Sequence, residues 1–164
     1  MRPPERKNIR LKNYEYSDNG VYFITICTNE KQHLFWDVGA ISDRPPVKPK
    51  LSPTGILAEK YIQCIPDIYP CVSIEKYTIM PNHVHLLISI KNETMTDCGR
   101  PMDALTISRI IQHYKGAVTK KDGLAVWQKS FYDHVVRDEQ DFQQIWRYID
   151  ENPMKWQQDC YFGW

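Results

Sequence analysis

The fold is decided by residues 72–90, which read VSIEKYTIM (72–80), PN (81–82) and HVHLLISI (83–90). Both apolar runs are rich in β-branched residues, and the Pro-Asn pair between them is a turn signal. The segment therefore predicts a β-hairpin. Within the second run, the strand period of two sends alternate residues to opposite faces of the sheet. The face expected in the core carries Val84, Leu86, Ile88 and Ile90.

Segments before the hairpin add a strand and a helix. A strand is predicted at 21–28, after the turn signal Asn19-Gly20, and a short strand at 34–36 is expected to pair with it. Ser52-Pro53 predicts the N-cap and first residue of a helix that runs to about residue 65. Its buried face is expected to consist of Ile56, Leu57, Tyr61, Cys64 and Ile65.

Segments after the hairpin add a helix at 106–121, a strand at 131–136 and a terminal helix. The first helix has an apolar face at helical spacing, formed by Ile107, Ile110, Ile111, Tyr114 and Val118. Asp138 predicts the N-cap of the terminal helix, which is expected to end near Glu151 because Pro153 disfavours helical geometry at Asn152. Polar segments at 43–50 and 92–103 are predicted as loops.

The order strand, helix, strand, strand, helix, strand, helix predicts an α+β fold. It is typical of a ferredoxin-like or RRM-like sandwich with a central antiparallel sheet, helices on one face and a C-terminal helix that bears a tyrosine.

Composition indicates one globular domain over residues 1–164. The chain is 42% hydrophobic and 25% charged, which excludes a disordered polyelectrolyte. It has no apolar run of membrane-spanning length and no signal peptide, so a cytoplasmic location is expected. Five scattered cysteines without Cys-x-x-Cys spacing favour reduced thiols.

The net charge of +1 argues against a protein that coats nucleic acid by bulk electrostatics. The charge is unevenly distributed, however, because residues 1–12 carry +4 and the remaining 152 carry −3. This basic arm could contact phosphates or could be a solvated tail. Its cations are Arg2, Arg6, Lys7, Arg10 and Lys12.

A pair of histidines lies at the start of the second hairpin strand. His83 and His85 are two residues apart, so their imidazoles point to the same face, which is the spacing of two ligands for one metal ion. The alternative is a pair of half-buried sheet histidines that hydrogen-bond to their neighbours.

The terminal helix carries a candidate nucleophile. Tyr148 borders its packing face, and Asn152 follows one turn later, so a hydroxyl and an amide oxygen could address the same ligand. Ordinary structural roles are the alternative, namely an interfacial tyrosine and the residue before a proline.

These motifs occur together in one known family. The stretch YTIMPNHVHLL (77–87) resembles the histidine-hydrophobic-histidine signature of the IS200-like single-tyrosine transposases, and most resembles their REP-associated tyrosine transposase branch. The similarity continues through IRLK (9–12), YFITICT (22–28), residues 108–120, WQKSFYDHVVR (127–137) and YIDENP (148–153).

The resemblance implies a metal-dependent endonuclease and strand transferase that acts on hairpin-forming single-stranded DNA through a covalent 5′-phosphotyrosine. Tyr148 would be the nucleophile, and His83 and His85 would bind Mg²⁺ or Mn²⁺. Asn152 would be the third ligand, at a position where insertion-sequence members commonly have glutamine. Two alternatives stay open: a domesticated protein that binds DNA hairpins without cleaving them, and a metal-dependent phosphoester hydrolase.

DNA contacts are expected from the basic arm and from cations of the 106–121 helix and the segment after it. The latter are Arg109, Lys115, Lys120, Lys121 and Lys129. His134 and Arg137 resemble family positions near the active site but have no assigned role.

The sequence leaves open a monomer and a homodimer in which the tyrosine helix serves the partner's site.

Overall fold

A four-stranded antiparallel sheet in the order β2-β3-β1-β4 organises the protein. The computed structural model describes residues 20–37, 49–91 and 106–159. The strands are β1 (Gly20–Cys27), β2 (Val72–Ile79), β3 (His83–Ile90) and β4 (Tyr132–Val136). The helices are α1 (Pro53–Gln63), α2 (Ile65–Ile68), α3 (Ile107–Asp122) and α4 (Glu139–Glu151), with short 3₁₀ helices at Asn29–Lys31 and Asn152–Gln158. This βαββαβ arrangement confirms the ferredoxin-like α+β prediction.

The two faces of the sheet are covered by different helices. One face packs against α1 and α3 and forms the main core, which includes Val84 and Leu86 of β3. On the other face, Phe23 and Leu87 contact Ile145 and Ile149 of α4. The face of β3 that carries the histidines is therefore covered by the terminal helix. Every residue of β3 is buried.

Helix α3 follows the sequence prediction in its packing and its ends. All five residues of its expected apolar face are buried. Its N-cap Thr106 accepts a hydrogen bond from the Arg109 amide, and Gly123 ends it in a left-handed conformation with φ of 81°.

The strand predicted at 34–36 is wrong. Both edges of β1 are occupied, by β3 on one side and β4 on the other, so no edge remains for a further partner. The segment instead makes an isolated bridge between Trp36 and Leu51. It contributes to the core through the buried rings of Phe35 and Trp36, and the Trp36 indole donates to the Ile79 carbonyl at 2.7 Å.

The buried face predicted for α1 is confirmed only in part. Ser52 is the expected N-cap, Ile65 is buried and Tyr61 packs against the core, as predicted. The fully buried positions of the helix are instead Gly55, Ala58 and Ile62, whereas Ile56 is 56% exposed. A Cβ added at Gly55 would lie 2.1 Å from the Phe35 carbonyl oxygen, so the helix approaches its neighbour through small residues. Helix α1 ends at Gln63, and the buried Ile65 belongs to the separate short helix α2.

Helix α4 begins after Asp138 and ends at Glu151, as predicted, but the expected distortion at Asn152 does not occur. Asn152 keeps helical angles (φ −58°, ψ −43°), and the chain continues directly into the terminal 3₁₀ helix. Because the missing amide of Pro153 falls at the start of this new helix, where no intrahelical partner is needed, the proline is tolerated.

Several predictions concern residues outside the described part of the chain. They are the basic arm at 1–12, the loop at 92–103 and most of the loop at 43–50. Among the described cysteines, Cys27 is buried and Cys64 and Cys71 are half-buried. No described helix has the length and apolar character needed to cross a membrane.

Candidate active site

The two histidines lie side by side on the α4 face of the sheet. His83 and His85 are fully buried, and their Nε2 atoms are 3.0 Å apart. Two ligands that bind one ion at about 2.1 Å and at a right angle to each other are separated by about 3.0 Å. The pair therefore has the spacing of adjacent ligands of a single metal ion.

Hydrogen bonds to the other ring nitrogens orient both imidazoles. His83 Nδ1 lies 2.8 Å from Asn82 Oδ1, and because an amide oxygen only accepts, Nδ1 donates and Nε2 carries a lone pair. His85 Nδ1 lies 2.8 Å from the hydroxyl of Thr25, its register partner on β1. A hydroxyl can donate or accept, so Thr25 fits either tautomer of His85. Such outer contacts are typical of metal-binding histidines.

Burial keeps both imidazoles neutral. It lowers the pKa of His85 to about 3. For His83, burial, then the neighbouring His85 and the charge of Lys31, hold the pKa well below its ordinary value. Neutral imidazole is the form that binds a metal ion, so the environment suits a ligand pair.

Helix α4 places Tyr148 against this pair. The Tyr148 hydroxyl is 3.4 Å from His85 Nε2, and its ring meets the His85 ring edge-on at 5.2 Å. Phe23 supports both rings, stacking on His85 at 5.2 Å and contacting Tyr148 at 5.9 Å. Since Tyr148 is 42% exposed, its hydroxyl can reach a ligand that enters from solvent.

Asn152 follows Tyr148 by one helical turn. Its backbone amide donates to the Tyr148 carbonyl, and the residue is 4% exposed. Within the described residues, its Nδ2 has no hydrogen-bond partner, which is unusual for a buried amide. The structure thus buries Asn152 one turn beyond the tyrosine.

One carboxylate near the histidines was not predicted from the sequence. Asp159 follows the terminal 3₁₀ helix, and its Oδ2 is 3.9 Å from His83 Nε2. His83, His85 and Asp159 form a cluster whose ligand atoms lie within 4.8 Å of one another, which could hold a metal ion. No spacing rule relates Asp159 to the hairpin, because the segment is placed by the packing of Trp156.

The cations predicted on α3 lie on the opposite face of the sheet from the histidines. Arg109 and Lys120 are exposed, and Lys120 lines a cleft of about 580 Å³ between α3 and residues 125–131. Lys115 is half-buried, and its ammonium donates to the carbonyls of Gln128, Lys129 and Ser130. It ties the segment before β4 to the helix.

His134 and Arg137 help to fix the start of α4. His134 Nε2 is 2.8 Å from the Asp141 carboxylate, which also accepts from the Arg137 amide at 3.2 Å. Partial burial acts to raise the pKa of Asp141, but the hydrogen bonds from His134 and Arg137 outweigh it and lower the pKa. These contacts join β4 to the helix that carries Tyr148.

Comparisons with known proteins find a matching family and related proteins. Residues 51–152 match the family described as Transposase IS200 like. An uncharacterized protein of Haemophilus influenzae is 35% identical over an alignment of 170 positions, which spans 94% of this chain and 91% of the relative. The solved structure of a REP-associated tyrosine transposase bound to a REP hairpin superposes with a TM-score of 0.62 at 20% identity, covering 89% of this chain and 73% of that one. At this identity, the structural likeness supports the fold.

Proposed function

This chain belongs to the family of IS200-like transposases, and we propose that it cleaves and rejoins single-stranded DNA through a covalent bond to Tyr148. The observation that carries the proposal is the 3.4 Å approach of the Tyr148 hydroxyl to His85 Nε2, which itself lies 3.0 Å from His83 Nε2. The proposed nucleophile thus lies beside the two proposed metal ligands.

In the proposed reaction, the Tyr148 oxygen attacks the phosphorus of a phosphodiester. The bond between tyrosine oxygen and phosphorus forms as the bond from phosphorus to the 3′-oxygen breaks, leaving a 5′-phosphotyrosine and a 3′-hydroxyl. The phenol proton leaves to solvent, which reaches the half-exposed side chain, and the departing 3′-oxygen takes up a proton. Because the phosphodiester energy is retained in the phosphotyrosine, the strand can be rejoined.

His83 and His85 would hold a divalent ion, Mg²⁺ or Mn²⁺, with Asn152 as a further ligand through its amide oxygen. When bound, this ion would supply positive charge to the scissile phosphate and align it for in-line attack. The chain's own part is to keep the imidazoles neutral by burial, to fix their orientation through Asn82 and Thr25, and to position the phenol through Phe23.

The proposed enzyme needs no second subunit to complete its site. Tyr148 contacts the histidine of its own chain because α4 packs on the sheet from which that histidine projects. We therefore favour the monomer among the two assemblies that the sequence leaves open.

The proposed substrate is a hairpin-forming single strand. Two features support it: the basic arm at 1–12, and the fold shared with a transposase whose solved structure contains a REP hairpin. A protein of net charge +1 is suited to a few local phosphate contacts more than to coating a duplex.

The test is to incubate the protein with a 3′-labelled DNA hairpin and Mn²⁺ or Mg²⁺, and to look for a protein–DNA adduct on a denaturing gel. The label belongs at the 3′ end because the fragment that becomes joined to Tyr148 through its 5′-phosphate keeps that end. Tyr148→Phe should abolish the adduct, and chelation of the metal should do the same. Tyr132→Phe is the matched control, since Tyr132 is also 42% exposed.

An adduct formed equally by Tyr148→Phe would refute the assignment of the nucleophile. Tight hairpin binding without an adduct for the unaltered protein would favour a non-cleaving DNA-binding protein. Turnover of a small phosphoester without an adduct would favour a hydrolase.

A further inference from the structure

The carboxylate of Asp159 lies beside the histidine pair. We propose that Asp159 is a further ligand of the divalent ion that His83 and His85 would hold, so this inference rests on the proposed function. Asp159 would add a carboxylate oxygen to the two imidazole nitrogens and the amide oxygen of Asn152. The proposal concerns a residue that lies beyond the stretch 51–152 matched by the family.

The distances suit a shared ion. Asp159 Oδ2 is 3.9 Å from His83 Nε2, and the ligand atoms of all three residues lie within 4.8 Å of one another. Two ligands at about 2.1 Å from one ion are at most about 4.2 Å apart, so the Asp159–His83 separation lies within the limit for a shared ion. The separation is too long for a direct hydrogen bond between these two atoms.

Burial separates this carboxylate from ordinary surface acids. The Asp159 side chain is 1% exposed, and that of His83 is fully buried. Two imidazole nitrogens and a carboxylate oxygen form a suitable donor set for a divalent cation.

The segment that carries Asp159 is held in place by aromatic packing. Trp156, in the terminal 3₁₀ helix, is 2% exposed, and its ring lies 6.3 Å from that of Trp36 and 6.0 Å from that of His83. The Asp159 amide donates to the Trp156 carbonyl at 3.0 Å. The position of the carboxylate is therefore fixed relative to the histidines by a buried anchor three residues earlier.

A carboxylate ligand would change the character of the site. Two imidazoles alone favour the later transition metals, whereas an added carboxylate oxygen favours harder ions such as Mn²⁺ and Mg²⁺. With Asn152 as a fourth ligand, about two of the six positions of an octahedral ion would stay open for phosphate oxygens and water.

The experiment measures Mn²⁺ binding to the full chain without DNA, by electron paramagnetic resonance of free Mn²⁺ and by calorimetry. Asp159→Asn should weaken Mn²⁺ binding at least tenfold. The matched control Asp67→Asn, which alters an exposed aspartate on α2, should leave binding unchanged. His83→Ala should weaken binding at least as much as Asp159→Asn.

A second variant gives a gain of binding that misfolding cannot imitate. Asp159→Cys replaces the hard oxygen with a thiolate, so its affinity for Cd²⁺ relative to Mn²⁺ should rise at least tenfold above that of the unaltered protein. The same ratio should not change in Asp67→Cys.

The outcomes separate this proposal from the proposed function. If His83→Ala loses Mn²⁺ binding while Asp159→Asn keeps it and Asp159→Cys gains no Cd²⁺ preference, Asp159 is not a ligand and the histidine site stands. If the unaltered protein binds no divalent ion, both proposals fail.

Discussion

The docking of α4 can be tested by shortening Ile149, which is 1% exposed and lies next to Tyr148 in the sequence. On this helix, Ile145 and Ile149 are the buried residues, and they pack with Phe23 and Leu87 in a cluster separate from the main core. Replacing a fully buried isoleucine with alanine typically costs about 2–5 kcal/mol. Because the cluster is small and near the surface, we expect a loss of about 3 kcal/mol for Ile149→Ala.

The loss should fall on α4 before it reaches the rest of the protein. A change of about 3 kcal/mol corresponds to roughly a hundredfold change in an opening equilibrium. Hydrogen exchange measured by mass spectrometry should therefore show about hundredfold weaker protection in α4, with a much smaller change in α1 and α3. Adduct formation should also decline, since Tyr148 is carried by the same helix.

A matched control is Ile56→Ala, which removes the same atoms from a side chain that is 56% exposed on α1. It should cost less than about 1 kcal/mol and leave α4 protection unchanged. The reasoning fails if Ile149→Ala changes α4 protection less than threefold, or if α1 and α3 lose protection to the same extent as α4.

Two further substitutions test contacts around the site, and a third tests the packing of α1. Thr25→Val keeps the shape of the side chain but removes the hydroxyl bonded to His85 Nδ1, so calorimetry should show roughly tenfold weaker Mn²⁺ binding. Asp141→Asn should lower stability to urea by about 0.5 kcal/mol at pH 7. The Asp141 carboxyl has a lowered pKa in the folded protein. The difference in stability between Asp141→Asn and the unaltered protein should therefore persist above about pH 4 and vanish as the pH falls through that lowered pKa. Gly55→Ala places a Cβ 2.1 Å from the Phe35 carbonyl oxygen and should cost about 3 kcal/mol in urea denaturation, and a cost under about 0.5 kcal/mol would show that α1 shifts freely.

The elements that could be predicted from the sequence are those in which apolar residues recur at a clear strand or helix spacing. In β3, alternation separates Val84 and Leu86, which face the main core, from His83 and His85, and the structure confirms it. In α3, large apolar residues at helical spacing are the ones that pack. In both cases, the same side chains that create the pattern also make the contact.

The errors arose where contacts depend on small side chains or on distant partners. Helix α1 packs through Ile62 together with Gly55 and Ala58, and these two small residues carry almost no hydrophobic signal, so the exposed Ile56 was wrongly placed on the buried face. The position of Asp159 depends on Trp156 packing near Trp36, about 120 positions earlier in the sequence. Local pattern gives no information on such contacts.

The register of β1 against β3 couples the support of α4 to the geometry of the site. Phe23 pairs with Leu87, and two residues further along the same strands Thr25 pairs with His85. Because the strand period is two, all four side chains project from the same face. The first pair forms the apolar surface on which α4 rests, and the second contains a proposed metal ligand with the residue that orients it. A slip of β1 by one residue would turn Phe23 and Thr25 to the opposite face, away from Leu87 and His85. A single register therefore determines both the surface on which the tyrosine helix docks and the orientation of the histidine that it meets.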